Sequence, residues 1–179
     1  MTSWLRTDSV PIQKRPGILL GLSGLFILGG ILWPVTNVVL TLPTQSCLLP
    51  DTDFALQWQH SVEKENWREA YQRHDQQLLL THSQFKTYGA GTPSSGELHT
   101  DNNELIDYRV DRLLNELSWV VSDNVQSTLW IDGIPWPVHA LVDDYTELDF
   151  RVRRIPFLQF LLMDSCHDFF RQAHPAKQQ

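Results

Sequence analysis

The stretch Phe54-Ala55-Leu56-Gln57-Trp58-Gln59-His60-Ser61-Val62-Glu63-Lys64-Glu65-Asn66-Trp67-Arg68-Glu69-Ala70-Tyr71-Gln72-Arg73 decides the fold class of this 179-residue chain. Phe54, Leu56, Trp58 and His60 alternate with Ala55, Gln57, Gln59 and Ser61, the period of two of a half-buried strand. Val62 to Asn66 is charged and turn-like. Trp67, Glu69, Tyr71 and Arg73 then alternate with Arg68, Ala70 and Gln72 as a return strand, and Gln77 to Tyr88 supplies a third, longer one.

Working outward toward the C-terminus, the breaker cluster from Gly89 to Gly96 forces a turn or loop. Beyond it Ile106 to Val110, Leu113 to Ser122, Ser127 to Asp132, Pro137 to Val142 and Glu147 to Val152 read as further strands, rich in β-branched, aliphatic and aromatic residues. Asp132-Gly133 reads as a hairpin turn, because glycine supplies the positive φ that a primed turn demands. About eight short strands at regular spacing predict an all-β body over residues 43–154, closed as a small β-sandwich or a partly open barrel. In the C-terminal segment, 155–179, Leu158, Leu161, Leu162, Ser165 and Phe169 fall at helical spacing after Pro156, predicting a closing helix. Arg151, Arg153 and Arg154 precede its apolar stripe, so docking on a membrane surface or a partner is the alternative to core packing.

Toward the N-terminus, no residue from Gly17 to Leu42 is charged. The segment 17–42 is long enough for a transmembrane anchor, which needs about 20 predominantly apolar residues. Its length also exceeds the usual apolar core of a cleaved signal peptide, and a lipoprotein signal at Cys47 is disfavoured because Thr44-Gln45-Ser46 lacks the aliphatic residue and the small pair expected there. Lys14 and Arg15 stand directly before the segment, whereas the next basic residue is Lys64. The positive-inside rule therefore predicts a single pass, with residues 1–16 cytoplasmic and the body exported, periplasmic in a bacterial inner membrane.

Charge and cysteine content narrow the classes further. The formal net charge is −7, and nearly all of the acidity lies beyond residue 43, so a phosphate backbone would be repelled and nucleic-acid binding is not expected. Cys47 and Cys166 are the two cysteines. An exported compartment permits a disulfide between them, and two separate buried thiols are the alternative. Without a Cys-x-x-Cys pair neither a zinc ribbon nor a thioredoxin-type site is available.

The segment from His60-Ser61-Val62-Glu63-Lys64 to Trp67 and Glu69, followed downstream by Gly89-Ala90-Gly91, resembles the bacterial domain-of-unknown-function family 1850. Many members have Thr-Pro after the lysine where this chain has Glu65-Asn66. The resemblance implies a small exported domain of the kind encoded beside tripartite ATP-independent periplasmic (TRAP) transporters whose solute receptor is of the TAXI type. It carries over no catalytic residue.

On these grounds His60, Ser61, Glu63, Lys64, Trp67, Glu69, Gly89, Ala90 and Gly91 are the expected interaction or ligand site, with a structural polar cluster fixing a hairpin as the plainer reading. A hydrolase is disfavoured, because Ser61 and His60 are adjacent on a strand and point to opposite faces. His60, Glu63, Glu69 and His82 are metal-ligand types but lack a supporting ligand spacing. The glycine loop has neither a Walker lysine nor a following helix, so a tight turn is favoured over a phosphate cradle. Seven tryptophans are many for this length, and an exposed Trp67 or Trp136 would suit a protein interface. The expectation is a non-enzymatic accessory subunit of a TAXI-type TRAP transporter, with no cofactor or resident metal, that engages the permease or the solute receptor. The alternatives are an envelope metal-binding protein or hydrolase using His60, Glu63 and Glu69, and an envelope assembly factor independent of transport.

Overall fold

The computed structural model describes residues 31–49, 53–89, 91–93, 96–98 and 105–173. Eleven strands are described: β1 Pro34–Thr41, β2 Ser46–Leu48, β3 Asp53–Gln59, β4 Asn66–His74, β5 Gln77–Phe85, β6 Glu97–Leu98, β7 Ile106–Leu114, β8 Leu117–Val120, β9 Thr128–Ile131, β10 Ile134–Trp136 and β11 Glu147–Pro156. Three α-helices accompany them: α1 Val138–Leu141, α2 Phe157–Leu162 and α3 Cys166–Ala173. The strands form two antiparallel sheets, a four-stranded one in the order β2-β1-β11-β8 and a seven-stranded one in the order β10-β9-β3-β4-β5-β7-β6. Neither sheet closes on itself.

The core lies between the sheets. Val38 and Leu40 of β1 and Leu148 and Phe150 of β11 cluster with Phe54 and Leu56 of β3, Tyr71 of β4, Leu78 and Leu80 of β5, and Leu129 and Ile131 of β9. Phe54 joins the two layers: its ring stacks on Phe150 at 4.8 Å and on Tyr71 at 5.2 Å. Cys47 and Cys166 are disulfide-bonded across a sequence separation of 119, which ties α3 to β2. Leu48 N–H donates to Asp164 O at 2.9 Å beside that bond, so the C-terminal helices are stitched to the small sheet by backbone as well as sulfur.

The apolar stretch upstream divides differently from the expectation. Pro34–Thr41 is not part of a membrane helix but β1, paired along its whole length with β11. The physical reason is local: Pro34 cannot continue a helix, and Val35, Thr36, Val38 and Val39 are β-branched and favour extended backbone. Residues 1–30, which include the expected cytoplasmic segment and most of the apolar run, lie outside the described residues. Among the described residues no helix is long and apolar enough to cross a membrane.

Two further expectations change. Pro137 to Val142 is not a strand: Val138–Leu141 is a single helical turn, closed by Ala140 N–H to Pro137 O at 2.8 Å and Val142 N–H to Val138 O at 3.0 Å. The closing helix is two helices, because Ser165 starts a new one. Its Oγ accepts Asp168 N–H at 3.1 Å and donates to Asp168 Oδ2 at 2.8 Å, an N-cap that takes the N–H a continuous helix would give to Asp164 O, which accepts Leu48 N–H instead.

The Asp132-Gly133 turn does join β9 to β10, with φ of 53° and 73° at the two positions. A Cβ at Gly133 would meet nothing within 4 Å, so Gly133→Ala costs only the left-handed backbone. We expect a loss of about 1 kcal/mol, read as a lower urea midpoint with an unchanged slope. A loss above about 3 kcal/mol would contradict this account of the turn.

Candidate functional site

The site begins with the hairpin between β3 and β4. His60 N–H donates to Glu65 O at 2.8 Å and Lys64 N–H to His60 O at 3.0 Å, closing a tight loop in which Lys64 takes φ 59°. The His60 ring lies on Trp67 with centroids 4.9 Å apart, and Trp67 in turn stacks on Phe85 at 5.0 Å and Phe85 on Tyr108 at 5.9 Å. Trp58 and Tyr88 flank this ladder. His60 therefore faces inward, as its alternation with Leu56 and Trp58 predicts.

His60 Nδ1 is paired with the Glu63 carboxylate. The same nitrogen lies 3.4 Å from both the Val62 and Glu63 backbone nitrogens. Glu63 also makes the link to the second motif segment: a methyl group at Gly89 would overlap its carboxylate. Thr87 Oγ1 donates to Glu65 Oε2 at 2.8 Å, and the Trp67 ring lies 4.0 Å from where a Cβ at Gly91 would stand. The loop closes on itself, with Thr92 N–H and Oγ1 both donating to Gly89 O at 3.3 and 3.1 Å. Gly91 adopts φ +91°, which favours glycine there.

Hairpin and glycine loop, separate in sequence, thus form one unit around Trp67. Ala90 lies outside the described residues. The loop faces a carboxylate of its own chain, which by like-charge repulsion works against an anion-binding role. Ser61, Val62 and Lys64 are exposed, Val62 by 75%, and Tyr88 is exposed beyond β5, its ring edge-on to Phe85 and Tyr108. Trp67 itself is buried, so it supports that surface from below rather than offering an exposed indole, and Trp136 is half-buried with Nε1 donating to His167 Nδ1 at 3.2 Å.

Glu69 departs from the expected cluster. Its Oε2 accepts the Tyr71 hydroxyl at 2.5 Å rather than meeting His60, and it lines a cleft of about 600 Å³ with Leu80, Gly91, Pro93 and Arg112. Among the described residues no three His, Cys, Asp or Glu side chains are grouped to hold a metal ion. Burial, followed by the Glu69 charge and hydrogen bond, pushes the Tyr71 hydroxyl far above its ordinary value of 10.0. The unfolded chain loses this proton above pH 10 while the folded chain keeps it. The folded state's advantage is therefore whole below pH 10 and lost above it, at about 1.4 kcal/mol per pH unit. Absorbance titration should accordingly show one of the four tyrosines ionising only together with unfolding. A Tyr71→Phe chain that keeps the same alkaline loss of stability would refute the assignment.

A second hollow, of about 450 Å³, lies on the outer face of the large sheet and was missed at the sequence level. Ala55 and Ala70 are register partners and form its floor, between Trp130 and His82. The Arg68 guanidinium lies 4.9 Å over the Trp130 ring, and Trp130 Nε1 donates to Gln57 Oε1 at 3.1 Å. His82 Nδ1 is 3.0 Å from Asp107 Oδ1. The only sequence signal was two small residues at outward strand positions, which marks a hollow only once the pairing is known.

Comparison with known families matches residues 54–137 to the model described as a domain of unknown function (DUF1850). No curated protein and no solved structure matches the chain.

Proposed function

From the membership of residues 54–137 in that family, we propose that the protein is a membrane-anchored extracytoplasmic accessory subunit of a TAXI-type TRAP transporter. The body is a β-sandwich, held to the inner membrane by the apolar run that ends at Trp33, and it engages the solute receptor or the permease. The observation that carries the reading is the joining of the His60–Trp67 hairpin to the Gly89–Thr92 loop, which presents one continuous surface. Val62 at the hairpin tip, with Ser61 and Lys64 beside it in sequence, and Tyr88 beyond β5 are exposed, the mixture of apolar and polar groups that a protein interface uses. His60, Glu63 and Trp67 then act as positioning residues that hold the surface in shape.

Purification of the tagged full-length protein from crosslinked native membranes should recover the permease or the solute receptor. Val62→Asp combined with Tyr88→Asp should cut that recovery about tenfold or more at a stability cost of about 1 kcal/mol, because Val62 is solvent-exposed and Tyr88, also exposed, meets Phe85 and Tyr108 edge-on. Deletion of the protein should lower substrate uptake. Recovery of neither partner, together with normal uptake, would overturn the proposal.

A further inference from the structure

Helix α2 has the sequence Phe157-Leu158-Gln159-Phe160-Leu161-Leu162. Five of its six side chains are apolar, so its apolar surface goes around the helix rather than along one stripe. A helix of that kind is covered on more than one side. Phe160, with the following Met163, packs on Val39, Leu48 and Ile155, which settles the inner side. Phe157, Leu158, Leu161 and Leu162 fall on the opposite side, at the i, i+1, i+4, i+5 spacing of one helix face. All four are exposed, Leu161 by 61% and Leu162 by 76%. Packing against the sheet end therefore accounts for only half of this helix.

What lies next to that face indicates what covers it. Phe157 N–H donates to Trp33 O at 2.9 Å, so α2 starts where the uncharged apolar run reaches the body. Trp33 is 71% exposed and Leu32 is exposed beside it. A tryptophan at the end of an apolar run is the side chain that settles at the headgroup level of a bilayer. Arg153 and Arg154, just before the helix, are both exposed, and neither is in an ion pair among the described residues. The charge of Arg153 complements anionic headgroups. The acidic side chain at Asp168 is taken up by Arg171 at 3.1 Å.

We infer that the outward face of α2 lies on the lipid bilayer, forming with Trp33 and with Arg153, which shares the β11 face of Ile155, a second, non-spanning membrane contact that fixes the tilt of the body over its anchor. This rests on the anchor reading proposed above. Two contacts restrict rotation where a lone anchor would leave the body free to swivel, and the hairpin surface would then be presented in a defined direction.

The test is made with the full-length chain in phosphatidylethanolamine and phosphatidylglycerol vesicles that carry a photoactivatable acyl chain, with adducts mapped by mass spectrometry. Adducts are expected on residues 157–162 as well as within residues 17–33. The doubly substituted chain Leu161→Glu, Leu162→Glu should lose the former about tenfold while retaining the latter. An intact Cys47–Cys166 bond in that variant reports that the body is folded. Adducts within 17–33 but none on 157–162 would overturn the inference and leave the anchor standing. Crosslinks joining α2 of two copies in place of lipid adducts would overturn it in favour of self-association. Adducts in neither segment would remove the anchor reading and this one with it.

Discussion

Replacement of both Cys47 and Cys166 by serine should lower the stability of the body by about 4 to 5 kcal/mol, on the chain-entropy treatment of a loop of this length. The bond spans a sequence separation of 119, so its loss frees most of the unfolded chain from a constraint. Both sulfurs are fully buried, at the junction of β2 with α3, so the native state also loses a packed contact. Domains are commonly stable by about 5 to 15 kcal/mol, so a loss of this size takes a large share. Urea unfolding of wild type, with and without reductant, against the double serine chain is the measurement. Wild type under reductant should match the serine chain. A midpoint unmoved by reductant would show that the bond does not constrain the unfolded state.

Trp67→Ala should cost about 3 to 5 kcal/mol, the range for emptying a buried aromatic site. The indole touches His60, Trp58 and Phe85 together, and Gly91 abuts it from the loop side. Its removal therefore frees both halves of the motif at once. Trp67→Phe should cost far less than Ala, about 1 kcal/mol, because it keeps a ring in the stack and removes a buried indole N–H that has no hydrogen-bond partner among the described residues. Circular dichroism melts give the stability order, and partner recovery from crosslinked membranes gives the functional one. If alanine and phenylalanine were equally harmless, the ladder would not be what holds the hairpin to the loop.

The sequence made the all-β class, the β3–β4 hairpin and the Asp132-Gly133 turn legible because each rests on local chemistry: alternation, or a glycine where φ must be positive. The third long strand shows where local reading stops. Gln77–Phe85 buries Leu78 and Leu80, then Thr81, then Ser83 and Phe85, so its alternation slips by one residue. Thr81 is the extra residue of a bulge, with its Oγ1 donating to Ala70 O at 3.0 Å, and the partner strands shift register there. Only that slip puts Phe85 on the same face as Leu80 and lets it reach Trp67. A single strand's pattern does not report it, because the bulge is a property of three paired strands.

The candidate site was legible in type and partly in place. His60 and Glu63 meet because they are three residues apart in a tight loop, and Gly89 meets Glu63 because the two segments end neighbouring strands. Glu69 escaped because its partner Tyr71 is two positions along the same strand and on the same face, whereas a partner was sought across the turn. The boundary of the apolar segment was misplaced for a different reason. Hydropathy is blind to whether a valine-rich stretch is bound for lipid or for the middle of a sheet. Pro34 and the β-branched residues after it were the discriminating marks.

The pairing of β1 with β11 runs from Pro34↔Pro156 to Thr41↔Asp149, so the first strand of the fold completes its ladder with the last. A chain made or translocated N-terminus first must keep β1 unsatisfied on one edge until β11 arrives, while the seven-stranded sheet can already assemble from β3 to β10. We therefore expect formation of the small sheet to be a late step, slowed by its large loop-closure entropy. Until then Val38 and Leu40 lack their partners from β11, so that strand is where chaperones and proteases would meet a newly made chain.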